Sequence, residues 1–128
     1  MTAKELYAAI GGNYEDALSR LMNDRLVIKF IRKFPADPSF SQLMAARETG
    51  DAEGMFRASH TLKGVAANLG LTDFAALASE ICECYRPGKE QPTTPEALAA
   101  RFAKLGDMYE KICDTLSHFE GEVCCICV

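Results

Sequence analysis

Apolar residues recur at intervals of three and four along most of the chain, a spacing that predicts amphipathic α-helices. The most regular series lies near the C-terminus and alternates spacings of four and three: Leu98, Phe102, Leu105, Tyr109, Ile112, Leu116 and Phe119. A heptad seam of this kind is typical of a helix that packs lengthwise against its neighbours. No segment alternates apolar and polar residues as a half-buried strand would. The pattern therefore predicts an all-α protein.

Start and stop residues divide most of the chain into four longer helices, predicted at 38–49, 52–69, 72–86 and 95–118. Pro38 falls at the first position of the first of them, and Gly50 and Gly70 end the first and the second. The one longer loop, rich in proline and polar residues, separates the last two helices. Because the other connections are short turns, we expect an antiparallel up-down four-helix bundle.

Three short helices are predicted before this bundle. Thr2 and Glu5 form a capping box for the first, Asn13 caps the second, and Asp24 begins the third. The third has the clearest apolar face, made by Leu26, Val27, Phe30, Ile31 and Phe34. Pro35 marks its end. We expect these short helices to brace one end of the bundle.

Length bounds the number of domains. A chain of 128 residues is long enough for one domain with a hydrophobic core and too short for two domains of ordinary size. We predict a single domain at 1–122, made of an N-terminal brace at about 1–35 and the bundle at about 37–119, followed by a cysteine-rich tail at 123–128.

Composition and charge narrow the class of protein. The apolar share of 48% and the charged share of 25% are ordinary for a globular domain. A net charge of -4 and a pI near 5.2 argue against nucleic-acid binding, which favours a basic surface. No apolar run approaches the roughly 18 residues needed to span a bilayer, and the N-terminus lacks the apolar core of a signal peptide. We expect a cytoplasmic protein without a membrane span.

The second long helix carries an unusual outward face. Its buried stripe is predicted to contain Met55, Ala58, Ser59, Leu62, Val65, Ala66 and Leu69. His60 points roughly 160° away from that stripe at 100° per residue. On or beside the same outward side lie Glu53, Phe56, Arg57, Lys63, Gly64 and Ala67. An imidazole is thus predicted to stand between cationic and very small side chains.

Gly64, one turn from His60, is the least expected residue of that face. A glycine inside a helix costs about 1 kcal/mol relative to alanine. It is either a tolerated defect, a point where another helix of the chain packs closely, or a gap through which a bulky partner reaches the imidazole.

The segment His60-Thr61-Leu62-Lys63-Gly64, followed by Asn68-Leu69-Gly70, resembles the phosphorylation motif of histidine-containing phosphotransfer (HPt) domains. That motif places a lysine three residues, a glycine four residues and a second glycine ten residues after the histidine, and all four positions match. The resemblance extends from about Gly12 to near Arg86 and then thins to an amphipathic helix of suitable length.

The resemblance implies the same helical bundle, with a phosphorylatable histidine exposed on one of its helices. It implies that His60 takes a phosphoryl group from the aspartate of one receiver domain and hands it to another, in a relay that includes a hybrid sensor kinase. Receivers are expected to dock on Phe56, Arg57, Gly64, Ala67 and Asn68, and to supply Mg²⁺ themselves. We expect a monomeric carrier with no cofactor of its own.

The chemistry of the residues is compatible with this role. A neutral imidazole is a competent nucleophile near neutral pH without a separate base. Lys63, one turn away, either offers its charge to the phosphoryl oxygens or is an ordinary solvated lysine. The chain has no GxxxxGK[ST] loop and no HExxH, and carboxylate companions for a metal are absent around His60. It is therefore predicted to be a phosphoryl carrier rather than an enzyme, with no metal site.

Two other functions stay open. The first is a helical adaptor that binds a partner through the Phe56/Ala67 face without chemistry. The second is a thiol or metal protein centred on the tail, which holds three of the six cysteines and whose last four residues have the outline of a prenylation box. The favoured interpretation of the tail is an apolar segment that packs or frays. Without a secretory signal, reduced thiols are expected, with Cys84 and Cys113 beside the core. An exposed imidazole favours the phosphorelay, since neither alternative needs one.

Overall fold

The computed structural model describes residues 1–90 and 92–119, and this part of the chain is all-helical. Its α-helices are α1 (Ala3–Ala9), α2 (Tyr14–Leu21), α3 (Asp24–Ile31), α4 (Ser39–Thr49), α5 (Ala52–Asn68), α6 (Thr72–Cys84) and α7 (Pro95–Ser117). A 3₁₀ turn, Phe34–Ala36, separates α3 from α4. The prediction of an all-α protein is confirmed for the described residues, and the tail at 123–128 lies outside them.

The predicted bounds of the four longer helices differ from the observed bounds by at most two residues. Pro38 precedes α4 instead of being its first residue, and the Asp37 carboxylate accepts a hydrogen bond from the Ser39 amide at 2.9 Å. The largest difference is at α6, which ends at Cys84. Arg86, predicted to be the last residue of that helix, therefore lies just beyond it.

Helices α4 to α7 pack consecutively, α4 on α5, α5 on α6 and α6 on α7. Two contacts also join α4 to α7. The Phe40 and Tyr109 rings stack at 3.8 Å between centroids, and the Arg47 guanidinium lies 4.5 Å from the centroid of the Phe102 ring. Residue numbers rise along α4 as they fall along α7, so the two helices run in opposite directions. This pairing supports the predicted up-down arrangement.

The N-terminal helices hold the turn between α5 and α6. The buried Tyr7 hydroxyl donates to the Leu69 carbonyl at 2.6 Å, and the Asn13 amide donates to the Gly70 carbonyl at 2.7 Å. Burial raises the pKa of Tyr7 well above its usual value, so the hydroxyl stays a donor. Gly70 has φ +72°, and a Cβ there would lie 2.7 Å from the Asn13 carbonyl oxygen. The turn therefore needs glycine for its conformation and for this close approach.

The face predicted for α3 is wrong at one position. Phe30, expected in the core, is 37% exposed, and Ile28 is buried instead. The buried face of this short helix is centred between Val27 and Ile28, and Phe30 points about 100° away from it. The ammonium groups of Lys29 and Lys33 lie 5.9 and 5.6 Å from the centre of its ring. These two cation–π contacts partly offset the cost of exposing the Phe30 ring to solvent.

Three cysteines fall within the described residues, and all are free thiols: Cys82, Cys84 and Cys113. Cys84 is buried and Cys113 half-buried, as their helical positions predict, and Cys82 is also fully buried. Within 1–90 and 92–119, none of the helices is long and apolar enough to cross a membrane.

Candidate functional site

Helix α5 begins at a side-chain cap and buries the predicted stripe. The Asp51 carboxylate accepts a hydrogen bond from the Gly54 amide at 2.9 Å, which satisfies one of the free amides of the first turn. Of the predicted stripe, only Val65 is half-buried, and the other members are buried. Ser59 is a polar member, and its hydroxyl donates to the Met55 carbonyl at 2.6 Å. Burial of this stripe fixes which face of α5 meets solvent.

His60 lies on that solvent face and is exposed. Its imidazole packs against the ring of Phe56, one turn earlier, with centroids 5.8 Å apart and the planes inclined by 27°. Among the described residues, no hydrogen bond to the His60 ring is present. The His60 ring therefore rests on Phe56 and makes no hydrogen bond within the described chain.

Lys63 and Gly64 occupy the next turn of α5. Lys63 is half-buried and Gly64 is exposed. A Cβ built at Gly64 meets no heavy atom within 4 Å. The interpretation of Gly64 as a close packing point for another helix of the described chain is therefore wrong, and the space beside His60 is open.

The other residues of the predicted docking face lie on the same side of α5. Arg57 is exposed and pairs with Glu53 at 3.4 Å. Ala67 is half-buried, and the exposed Asn68 accepts a long hydrogen bond of 3.4 Å from Arg20. The structure thus brings all the predicted site residues to one surface, although Asn68 is also tied to α2.

An open groove continues this surface toward the N-terminal helices. It has a volume of about 270 Å³, lies beside Asn68, and is lined mainly by apolar side chains that include Leu21, Phe30 and Val65. The exposed Phe30 ring and the Lys33 side chain form its outer wall. The groove is also lined by the Lys33 and Asp37 side chains, of opposite charge, so it can accept a partner that is apolar at its centre and polar at its edge.

Sequence reasoning missed two residues of this site, Glu83 and Arg86. The Arg86 guanidinium lies 5.2 Å from the centre of the Phe56 ring, the ring against which His60 packs. Glu83 holds the guanidinium with hydrogen bonds of 3.0 Å to Nε and 2.7 Å to Nη2. Their spacing of three indicates an ion pair, but only the packing of α6 on α5 places that pair beside Phe56.

The charges of Lys63 and His60 contribute to the pKa of Glu83. The hydrogen bonds from Arg86, followed by the charges of Arg86, Lys63 and His60, hold the pKa of Glu83 below its usual value. The carboxylate is thus ionised at neutral pH and lies within electrostatic reach of both His60 and Lys63. Glu83 in turn raises the pKa of Arg86, chiefly through the same hydrogen bonds.

A family model, that of the Hpt domain, matches residues 25–115. The chain belongs to the Hpt domain family. Hpt domains are phosphocarrier modules that interact with receiver domains in two-component phosphorelays, and this chain is a phosphotransfer module of that kind. The matched region contains the whole motif from His60 to Gly70 and leaves out α1 and α2. Neither a curated protein nor a solved structure gives a significant match.

Within the described part of the chain, no three histidine, cysteine, aspartate or glutamate side chains are grouped so that they could hold a metal ion. The three cysteines on which the thiol or metal alternative depends, Cys124, Cys125 and Cys127, lie outside the described residues.

Proposed function

We propose that His60 receives a phosphoryl group from the phosphorylated aspartate of a receiver domain and passes it to the aspartate of another receiver. The observation that carries the proposal is the exposed imidazole, which has no hydrogen bond from the described residues and lies beside the open space at Gly64, in a chain of the Hpt family. A receiver must bring its own active site to within bonding distance of a ring nitrogen. The open face of α5 permits that approach.

In the forward step, the lone pair of an imidazole nitrogen attacks the phosphorus of the aspartyl phosphate. The nitrogen–phosphorus bond forms as the bond from phosphorus to the aspartate oxygen breaks, and the carboxylate leaves. The next receiver reverses these roles, since its aspartate attacks and the imidazole leaves. The transition state needs in-line geometry and compensation of the charge on the phosphoryl oxygens, with little covalent work by the carrier.

Lys63 supplies part of that compensation. It lies one turn from His60 on α5, so its ammonium group can reach the phosphoryl oxygens. We expect Mg²⁺ to be bound by the receiver and not by this chain. The carrier itself needs no nucleotide site and acts as a substrate of its partners.

The contact surface comprises Phe56, Arg57, Gly64, Ala67 and Asn68, and it extends into the groove beside Phe30. Its partners are receiver domains, including that of a hybrid sensor kinase. We further infer a monomer in the cytoplasm, whose α4 to α7 form an antiparallel four-helix bundle. The adaptor alternative is less well supported, because it does not require the exposed imidazole of His60 beside the open space at Gly64.

The test is incubation with a phosphorylated receiver, followed by assay for acid-labile, base-stable phosphate on this protein. Phosphohistidine on the natural protein and on His118→Gln, but not on His60→Gln, is the expected result. Phosphate that is retained after loss of His60 would overturn the assignment of the acceptor.

A further inference from the structure

The His60 imidazole and the Arg86 guanidinium both pack on the Phe56 ring. The imidazole of His60 lies 5.8 Å from the ring centre, and the guanidinium carbon of Arg86 lies 5.2 Å from the same point. Arg86 comes from the segment after α6, so two parts of the chain that are far apart in sequence share one aromatic support. Its side chain is about one-third exposed, which restricts the guanidinium without sealing it from solvent.

Glu83 does not bind all the N–H groups of the Arg86 guanidinium. The Glu83 carboxylate accepts hydrogen bonds from Nε at 3.0 Å and from Nη2 at 2.7 Å, whereas a guanidinium carries five N–H groups. Among the described residues, the guanidinium of Arg86 donates hydrogen bonds to Glu83 alone. The remaining N–H groups can bind a second anion, and paired donors of this geometry suit phosphoryl oxygens especially well.

A phosphoryl group on His60 changes the balance around Glu83. It brings a charge near -2 and three acceptor oxygens to a surface where the carboxylate already carries -1. The pKa of Glu83 is lowered chiefly by its hydrogen bonds from Arg86, and the charge of His60 makes the smallest of the contributions. The two anions repel each other, and both attract the same guanidinium.

Building on the proposed phosphorylation of His60, we propose that Arg86 binds the phosphoryl group on His60 and gives up part of its contact with Glu83 to do so. In the unloaded protein Glu83 keeps the guanidinium beside the Phe56 ring. In the loaded protein it competes for the guanidinium and opposes the phosphoryl charge. The pair thereby sets how strongly this carrier holds its phosphoryl group.

This arrangement gives the two residues opposite effects on one quantity, the equilibrium constant for transfer from a phosphorylated receiver to this protein. Arg86→Gln removes a ligand of the phosphoryl group, and we expect the constant to fall about three- to tenfold, as suits a partly screened charged hydrogen bond. Glu83→Gln removes a competitor and a like charge, and we expect a rise of about threefold. Arg86→Lys keeps the positive charge but loses the paired N–H donors, so its equilibrium constant should lie between those of the natural protein and Arg86→Gln.

The matched control is the ion pair of Arg101 and Glu80, which also joins a one-third-exposed arginine to a glutamate of α6. Arg101→Gln and Glu80→Gln should leave the constant unchanged. Equal melting temperatures of Arg86→Gln and Arg101→Gln would exclude a general loss of structure. If both Glu83→Gln and Arg86→Gln lower the constant, or if neither changes it, the proposal is wrong.

A second measurement needs no receiver. Phosphoramidate transfers phosphate directly to histidine, and the Nε–H resonance of Arg86 can be followed by NMR as the phosphohistidine forms. We expect that resonance to shift in the natural protein and to stay fixed in His60→Gln. No phosphohistidine from either donor would refute the proposed function. Loading of His60 with no movement of the Arg86 resonance would refute the Arg86 proposal alone.

Discussion

Helices α5 and α7 carry the same two unusual residues in different arrangements. Each has an exposed histidine, His60 within α5 and His118 at the C-terminal cap of α7. Each also has a glycine, Gly64 or Gly106, at which a Cβ would meet no heavy atom within 4 Å. In α5 the two are one turn apart on one face, whereas in α7 they are twelve positions apart. Residue type and exposure therefore do not identify an acceptor site by themselves.

The surroundings of the two imidazoles differ more than their exposure. His118 is bound locally, with Nδ1 2.9 Å from the Asp114 carbonyl oxygen and 3.8 Å from the Asp114 carboxylate. This position suits a cation at the negative end of a helix dipole. His60 packs on Phe56, with Lys63 in the next turn and Arg86 on the same aromatic ring. His60 therefore shares its surface with the cations Lys63 and Arg86, whereas His118 lies against hydrogen-bond acceptors of its own helix.

The largest expected effect separates the two histidines. His60→Gln should abolish phosphoryl acceptance and leave the melting temperature nearly unchanged, because the side chain is exposed and makes no hydrogen bond within the described chain. His118→Gln should preserve acceptance. Phosphotransfer and thermal melting on both variants provide the measurement. A fall of many degrees in the melting temperature of His60→Gln would show that the residue is structural.

Lys63→Ala should have the next largest effect. It removes an assisting charge and leaves the nucleophile in place, so transfer should slow by about ten- to a hundredfold, the value of one hydrogen bond to a charged group. Lys111 of α7 is exposed and offers a matched control, since its loss should not alter the rate. The rate is measured at a receiver concentration below saturation. A normal rate would mean that Lys63 is only a solvated residue.

Local patterns were enough to predict the helices and the face on which His60 lies. Caps such as Thr2 and Asp51 act within three residues, and the stripe of α5 follows from helical periodicity alone. The errors arise where distant segments meet. The exposure of Phe30 depends on how the short helix α3 rests on its neighbours, and the position of Arg86 depends on the packing of α6 against α5. Neither contact is reflected in the spacing of apolar residues along the sequence.

Substitutions at Gly64 and Gly106 test whether a partner approaches α5 or α7. Gly64→Gln places a long side chain one turn from His60, and we expect transfer to fall about tenfold, equivalent to an obstruction of about 1.4 kcal/mol. Gly106→Gln puts the same side chain on α7 and should leave the rate unchanged. Both proteins are assayed with one phosphorylated receiver. Normal transfer by Gly64→Gln would refute the access argument even with His60 as the acceptor.

The smallest expected effect is on stability, and here the two glycines should behave alike. Because a Cβ at either position meets open space, alanine brings only its better helix propensity, worth about 1 kcal/mol at a helix interior. Gly64→Ala and Gly106→Ala should therefore each raise the free energy of unfolding by about that amount, as measured by denaturant titration. Gly70→Ala is the contrasting control, since its φ of +72° and the nearby Asn13 carbonyl make any Cβ costly there. A destabilised Gly64→Ala would place an unseen contact of the chain against the face of His60. Equal gains at Gly64 and Gly106 would mean that folding does not need glycine at either position, and a transfer defect confined to Gly64→Gln would then assign that glycine to the partner's approach.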